Sequence, residues 1–190
     1  MAGGDLWVFD RIAPVYDRLM PAASAGALAA ALERGDRPIQ RVLDVGGGTG
    51  RAARAIDVPD RIVLDASAGM LTRVPDGISC VRGDAREPPF RSASVDAVLV
   101  VDAFHHLPEA RRVLDALADV LRPGGVLVIV ELDPSTLRGR VLEAGEHLLG
   151  MDSQFYTPTE MVDAISSSGL DAAVVDTGFG YIVAGTKPRG

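Results

Sequence analysis

The residues RVLDVGGGTGR, from Arg41 to Arg51, decide the fold. A short apolar run ends in a glycine-rich turn of the kind that leads from a strand into a helix. Glycine has no β-carbon, so such a turn lets a ligand approach the backbone while N–H groups at the start of the helix point outward. The stretch therefore predicts a buried strand, a helix after it and a ligand at the junction.

Outward from this stretch, apolar runs alternate with segments of helical periodicity across residues 41–132. The runs are nearly continuous in Val, Ile and Leu, which is typical of parallel strands covered on both faces. We predict strands at Arg41–Val45, Arg61–Asp65, Ile78–Arg82, Val95–Val101, Val126–Leu132, Ala172–Thr177 and Tyr181–Thr186. Only residues 178–180 separate the last two, so we expect a hairpin and an antiparallel pair there. The alternation predicts an α/β fold.

Helices are predicted from periodicity and capping residues. Apolar residues recur at helical spacing over residues 113–121, and the run stops at a Pro-Gly-Gly sequence. Thr157 and Glu160 have the spacing of a capping box. Ala22–Arg34 is rich in alanine and is followed by glycine. The stretch 134–156 is longer than a usual loop and has its own helical pattern, so we expect a functional role for it.

Length and charge restrict the class of protein. The 190 residues, 47% of them hydrophobic, suffice for one globular domain. The net charge of −7 and the absence of a basic run argue against nucleic acid as a partner and favour a small molecule. The lone Cys80 excludes a disulfide within the chain and a Cys-based zinc site, and its apolar strand predicts that it is buried. The first residues, MAGGDLWVFD, resemble neither a secretion signal nor a membrane span, so we expect a cytoplasmic protein.

The glycine turn does not match the common nucleotide-binding patterns. Arg51 occupies the last position of G-x-G-x-x-G, and no Gly-Lys-Ser/Thr follows as in a P-loop. The pattern is instead D-x-G-x-G-x-G, which begins at Asp44. A carboxylate there suits a ligand with a cationic amino group and would repel a pyrophosphate.

Two further acids end predicted strands. Asp65 ends the second strand at the distance from the turn at which Rossmann-like domains bind ribose hydroxyls. Asp84 follows the third strand, where it could accept a hydrogen bond from an adenine amino group. Because the carboxyl ends of parallel strands meet at one edge, the three acids line one crevice that fits an adenosyl ligand.

Five motifs together resemble the class I S-adenosylmethionine-dependent methyltransferases. They are VLDVGGGTGR (Val42–Arg51), LDASAGML (Leu64–Leu71), VRGDA (Val81–Ala85), SVDAVLVVDAFHHLP (Ser94–Pro108) and LRPGGVLVIVELDP (Leu121–Pro134). The segments FDRIAPVYD (Phe9–Asp17) and GYIVAGTKP (Gly180–Pro188) resemble the branch that contains the ubiquinone and menaquinone C-methyltransferases, although this chain is compact for a long prenyl substrate.

The resemblance implies a Rossmann-like three-layer sandwich. Its sheet would have seven strands in the order 3-2-1-4-5-7-6, mostly parallel, with the last strand antiparallel. We expect one methyltransferase domain over residues 1–190, made of an N-terminal helical cap (1–35), a cofactor-binding core (41–132), a substrate-side helix (134–156) and a final helix with a hairpin (157–187).

The resemblance also implies a set of residues that bind S-adenosylmethionine. This cofactor becomes S-adenosylhomocysteine when it gives up its methyl group. This set is Asp44, Gly46, Gly48 and Gly50 at the glycine turn, Asp65 at the ribose, Ala66, Met70, Asp84 and Ala85 at the adenine, Asp102 at the methyl end, and Tyr16 in an N-terminal flap. We expect Ser67 to cap the helix after the second strand.

Methyl transfer from a sulfonium needs positioning more than it needs a base. A base matters for a phenol or enol, and His106 or His105 is the candidate, with packing or capping as the alternative role. The two histidines are adjacent, which is not the spacing of a metal site on a helix, so we expect no metal.

The predicted function is methyl transfer to a small, apolar or aromatic acceptor, and quinone precursors lead by resemblance. The alternatives are O- or N-methylation of a secondary metabolite, and a non-catalytic module that binds S-adenosylmethionine or S-adenosylhomocysteine. We expect no nucleic acid or integral membrane segment, and a monomer or a homodimer.

Overall fold

The computed structural model describes residues 24–137, 139–140, 144, 153–177 and 180–190. In chain order the elements are α1 (Ala25–Leu32), β1 (Arg41–Val45), α2 (Arg51–Ala55), β2 (Asp60–Asp65), α3 (Ala68–Leu71), β3 (Ser79–Arg82), β4 (Val95–Val101), a 3-10 turn (Phe104–His106), α4 (Ala110–Val120), β5 (Leu121–Glu131), α5 (Pro158–Ser167), β6 (Asp171–Asp176) and β7 (Tyr181–Thr186).

The seven strands form one sheet in the order β3-β2-β1-β4-β5-β7-β6. β7 pairs antiparallel with both β5 and β6, and the other pairs are parallel. The α/β fold class, the strand order and the antiparallel last strand predicted from the sequence are therefore confirmed. The parallel arrangement brings the carboxyl ends of β1, β2 and β4 to one edge of the sheet.

β4 lies in the centre of the sheet and is buried on both faces. Val98 and Val100 pack in a cluster with α4 and α5 on one face, whereas Ala97 and Leu99 pack with α1 on the other. The alternation follows from the two-residue repeat of a strand. It produces the expected three layers, with helices on both sides of the sheet.

The helix ends follow their capping residues. Thr157 and Glu160 form the predicted capping box at the start of α5. At the carboxyl end of α4, the Nζ of Lys187 donates to the carbonyl oxygens of Ala118 (2.7 Å) and Leu121 (2.8 Å). A cation at these carbonyls stabilises the end of α4, because they have no partners within the helix.

Two local predictions were wrong. β5 begins at Leu121, five residues before the predicted start, because Leu121 already pairs with Val95 ahead of a shift in register. Cys80 is exposed and not buried, because β3 is an edge strand and three of its four residues face solvent.

Some predictions concern residues outside the described part of the chain. These are the N-terminal cap as far as residue 23, most of the stretch 141–152, and residues 178–179 of the expected hairpin turn. In the described part, no helix is both long and apolar enough to cross a membrane.

The side chain of Asp96 links the amino ends of β1, β4 and β5. It is 1% exposed, and its Oδ2 accepts hydrogen bonds from the backbone N–H groups of Gln40 (3.0 Å) and Arg41 (2.9 Å). Its Oδ1 pairs with the Nη1 of Arg122 at 2.9 Å and the Nε of Arg37 at 2.8 Å. Burial opposes its ionisation, but these hydrogen bonds outweigh burial and lower the pKa of Asp96.

We expect Asp96→Ala to lower the free energy of unfolding by about 2–4 kcal/mol, because two partly buried N–H groups and two arginine side chains lose their buried acceptor. The measurement is urea denaturation at pH 7. Asp60→Ala is the control, since Asp60 makes an exposed ion pair with Arg41 and such pairs contribute little. Equal losses in the two variants would contradict the structural role of Asp96.

Candidate active site

A crevice opens at the carboxyl ends of β1, β2 and β4. Backbone and side chains from the glycine turn, the end of β2 and the segment after β4 form its walls. The lining residues are Asp44, Gly46, Gly47, Gly48, Arg51, Ala52, Asp65, Met70, Val101, Asp102, Ala103, His106 and Leu107. Its position is the one at which open α/β sheets bind ligands.

The alternating glycines shape this crevice. Gly46, Gly48 and Gly50 all have positive φ angles, of 64°, 55° and 79°. A β-carbon on Gly46 would lie 2.8 Å from the Cβ of Ala103, so a side chain there would clash with the opposite wall. The backbone conformation and the close approach at Gly46 therefore both require glycine.

Asp44 lies at the base of the crevice with no exposed surface. Its Oδ2 accepts a hydrogen bond from the N–H of Ala53 at 3.0 Å, whereas no described residue donates to its Oδ1. Burial raises the pKa of Asp44 to about 7, and the neighbouring carboxylate of Asp65 adds to the rise. A buried oxygen without a donor is costly, so the site suits a ligand that brings a donor or a positive charge.

Asp65 ties the glycine turn to β2. Its Oδ2 accepts from the N–H of Gly48 at 2.9 Å, and its Oδ1 accepts from the N–H of Ser67 at 2.8 Å. The Oγ of Ser67 in turn accepts from the N–H of Met70 at 3.1 Å, so Ser67 caps α3 as predicted. The carboxylate of Asp65 is 95% buried and lines the crevice.

A side pocket adjoins the crevice and shares Gly46, Asp65 and Leu107 with it. Ala66, Asp84 and Ala85 line this side pocket. The Nη2 of Arg86 donates to Asp84 Oδ2 at 2.6 Å. Hydrogen bonds from the Arg86 side chain lower the pKa of Asp84 to about 2. Asp84 is therefore ionised at neutral pH and can accept hydrogen bonds at the rim.

Opposite charges face each other across the mouth of the crevice. The Nη2 of Arg51 lies 3.9 Å from Asp102 Oδ2, and both side chains are less than one fifth exposed. Burial, and secondly the charge of Glu131, raise the pKa of Asp102 to about 6 despite Arg51. Asp102 also has a φ of 50°, which is uncommon outside glycine and is often found at functional sites.

The Phe104–His106 turn follows Asp102 and is held by Glu131 at the end of β5. Glu131 Oε1 accepts from the backbone N–H of Phe104 at 2.7 Å, and its Oε2 lies 2.6 Å from His105 Nδ1. The imidazole of His105 is 6% exposed and lies outside the crevice lining, whereas the ring of His106 lines it.

Residues 153–156 pack along this turn one after another. Ser153 Oγ lies 3.1 Å from His106 Nδ1, and the N–H of Gln154 donates to the carbonyl of His105 at 2.8 Å. The ring of Phe155 stacks on that of His105 with centroids 4.6 Å apart. This end of the stretch 134–156 thus contacts the residues after β4.

The structure brings most of the predicted site residues together. The crevice contains Asp44, Gly46, Gly48, Asp65, Met70, Asp102 and His106, and the side pocket contains Ala66, Asp84 and Ala85. Gly50 caps the start of α2 outside both cavities, and Tyr16 lies outside the described residues. The roles of these residues remain predictions.

Three residues at the site were not predicted from the sequence. Arg51 had a meaning in the sequence only as a break in a glycine pattern, although its side chain lines the crevice. Glu131 had a signal, since it is an acid at the end of an apolar run. Ser153 had none, because nothing local indicates that it meets His106.

Within the described residues, no three potential metal ligands cluster.

A family described as "Methyltransferase domain" matches residues 43–129. A demethylmenaquinone methyltransferase of Renibacterium salmoninarum is 36% identical over 140 residues, which are 68% of this chain and 59% of the relative. A malonyl-[acyl-carrier protein] O-methyltransferase of Dechloromonas aromatica is 34% identical over 179 residues, which are 86% of this chain and 64% of the relative.

Among solved structures, a Thermotoga maritima methyltransferase described as a possible histamine N-methyltransferase superposes with a TM-score of 0.76. It is 22% identical, over 96% of this chain and 99% of that one, so the likeness concerns the fold. The chain spans less than two thirds of the length of the two curated relatives.

Proposed function

We propose that this chain, which through its methyltransferase domain belongs to the class I S-adenosylmethionine-dependent methyltransferases, transfers a methyl group from S-adenosylmethionine to a small apolar or aromatic acceptor. The observation that carries the proposal is the crevice itself. A buried carboxylate oxygen of Asp44 without a donor lies at its base, below a glycine turn that a side chain would obstruct.

The chemistry of the described residues fits S-adenosylmethionine. Asp44 would hold the ammonium group of the methionine part, and the guanidinium of Arg51 would pair with its carboxylate. Asp65 would accept hydrogen bonds from the ribose hydroxyls, and Asp84 with Ala85 would bind the adenine in the side pocket. When bound, the cofactor supplies an electrophilic methyl group and a good leaving group.

The residues around the methyl end exclude water and orient the acceptor. Val101, Ala103 and Leu107 give the crevice an apolar wall next to Asp102 and His106. Such a wall suits an apolar or aromatic acceptor and keeps a reacting centre dry. His106, buried and in contact with Ser153 Oγ, would accept a proton from a phenol or enol.

The acceptor class rests on relatives and on this wall. One relative, from Agrobacterium fabrum, is named as a C-methyltransferase of ubiquinone/menaquinone biosynthesis, and another as a malonyl-[acyl-carrier protein] O-methyltransferase, so carbon and oxygen are both represented among acceptor atoms. The apolar wall favours a quinone precursor over a charged carrier-bound acid. We therefore propose C-methylation of a quinone-like ring, with O-methylation as the outcome that the test below separates.

The test incubates the purified protein with radiolabelled S-adenosylmethionine and a small-molecule and lipid extract of its own host, then partitions the products. We expect the label in the organic phase on a compound whose mass rises by one methyl group. The ¹³C chemical shift of the new methyl group, observed with S-adenosylmethionine labelled at the methyl carbon, distinguishes a methyl group on carbon from one on oxygen, whether in an ether or an ester. Binding of S-adenosylhomocysteine with no transfer to any fraction would contradict the enzymatic function and favour a non-catalytic module.

We expect His106→Ala to reduce turnover by about 100-fold or more while the Kd for S-adenosylhomocysteine changes less than about threefold, because a base acts on the acceptor and not on the cofactor. Transfer of label and calorimetry measure the two quantities. The control is Arg111→Ala, which breaks an exposed ion pair on α4. Equal losses of turnover and affinity would remove the role of His106 as a base.

A further inference from the structure

We propose that Glu131 is a positioning residue that holds the Phe104–His106 turn and the Nδ1–H tautomer of His105, and through them sets the ring of His106 in the crevice. The part that concerns His106 and turnover rests on the function proposed above. The part that concerns the tautomer stands on the contacts of Glu131 alone.

The Glu131 carboxylate contacts two backbone N–H groups and one ring nitrogen of the turn. Oε1 accepts from the backbone N–H of Phe104 at 2.7 Å and from that of His105 at 3.3 Å. Oε2 lies 2.6 Å from His105 Nδ1, and both side chains are at least 94% buried. An ionised carboxylate only accepts hydrogen bonds, so Nδ1 carries the proton and Nε2 is the basic nitrogen of that ring.

No neighbour competes for this carboxylate in the described part of the fold. Tyr181 lies opposite Glu131 in the β5–β7 pair, but its hydroxyl donates to the carbonyl of Tyr156 at 2.9 Å. Asp102, at the end of β4, is itself an acid and cannot donate when ionised. The carboxylate of Glu131 is thus dedicated to the turn.

The turn transmits this arrangement to the crevice. The rings of His105 and His106 are in contact, with centroids 4.0 Å apart. The ring of Phe155 also stacks on that of His105. His105 is thus fixed by Glu131 on one side and by aromatic packing on another. Its orientation limits that of His106, which reaches the crevice. At metal sites, removal of a partner that orients a ligating histidine commonly lowers activity 10- to 100-fold, and we expect an effect of the same order here.

The substitution Glu131→Gln is designed to change the tautomer of His105 without removing the hydrogen bonds that hold the turn. If the amide oxygen keeps the two backbone N–H groups, its NH₂ group faces His105 Nδ1, which must then become the acceptor. The substitution therefore preserves the turn but inverts the ring to the Nε2–H tautomer. Glu131→Ala removes all three contacts and is expected to destabilise the turn as well. Glu33→Gln is the matched control, because it makes the same change on an exposed side chain of α1's end.

The measurement is long-range ¹H–¹⁵N correlation of the imidazoles at pH 8, with the three histidines of the chain assigned by single substitutions. We expect His105 to be protonated at Nδ1 in the parent protein and in Glu33→Gln, and at Nε2 in Glu131→Gln. An unchanged tautomer in Glu131→Gln would overturn the proposal, as would a doubly protonated ring in the parent protein at this pH.

Activity provides the second readout. With radiolabelled S-adenosylmethionine and host extract, we expect Glu131→Gln to lower turnover by about 10- to 100-fold and to leave the Kd for S-adenosylhomocysteine within about twofold. Full turnover in a variant with an inverted tautomer would overturn the positioning role. If the parent protein transferred no methyl group, the proposed function would fail while the imidazole spectra still decided the tautomer.

Discussion

Replacing Asp65 with alanine is expected to weaken the binding of S-adenosylhomocysteine by about 100-fold or more. Hydrogen bonds to a charged group contribute about 1.5–3 kcal/mol each, and a ribose offers two hydroxyls to this carboxylate. The substitution also removes the acceptor for the N–H groups of Gly48 and Ser67, so the glycine turn loses its anchor to β2. Calorimetry on the folded variant, well below its unfolding transition, measures the loss.

A second ligand separates the two causes of this loss. S-adenosylhomocysteine that lacks the ribose 2′-hydroxyl should bind the parent protein less tightly, but should bind Asp65→Ala with nearly the same affinity as the complete ligand. Asp60→Ala, at the exposed amino end of the same strand, is the control and should bind both ligands as the parent protein does. Unchanged affinity in Asp65→Ala would refute the ribose assignment.

The acids of the crevice could be predicted from the sequence because the signal for each is local. Asp65 ends an apolar run, Asp44 lies one residue before the end of another, and Asp84 follows a third closely. A parallel sheet then necessarily brings such ends to one edge. Neither the strand pairing nor the distances were needed for that step, so their shared position was predictable.

Other features depend on contacts that no local pattern contains. Cys80 lies in an apolar run like those of the central strands, and only the strand order shows that this run is an edge with solvent on its side. The start of β5 at Leu121 depends on pairing with Val95. Glu131 has the local signal of an acid at the end of an apolar run, but that signal does not indicate its partners, which belong to the turn after β4.

Asp44→Asn is expected to have opposite effects on stability and on ligand binding. The carboxyl of Asp44 has a pKa of about 7 in the folded protein and an ordinary value of 3.8 when exposed. Between these values the unfolded chain releases a proton that the folded chain retains. The free energy of unfolding therefore falls as pH rises from about 4 to about 7, and stays low above that.

Asparagine is neutral throughout, and its amide oxygen can still accept from the N–H of Ala53. We therefore expect the variant to match the parent protein near pH 4 and to be more stable by about 4 kcal/mol at pH 8, measured by urea denaturation. Asp57→Asn, an exposed acid after α2, is the control and should show no such divergence with pH. A variant less stable than the parent protein at pH 8 would contradict the raised pKa of Asp44.

Binding should change in the other direction, because the ammonium group of the ligand needs the ionised carboxylate. For the parent protein, the affinity for S-adenosylhomocysteine should fall by up to about tenfold per pH unit below 7, as protonation of Asp44 competes with the ligand. In Asp44→Asn the affinity should be low and flat between pH 5.5 and 8. The ligand 5′-methylthioadenosine lacks the amino acid part, so it should bind both proteins equally. If it too bound the variant weakly, the substitution would have damaged the crevice as a whole, and Asp44 would not be the ammonium site. A buried carboxylate that binds a ligand is expected to lower the free energy of unfolding when it is ionised, because the protein core does not compensate its charge.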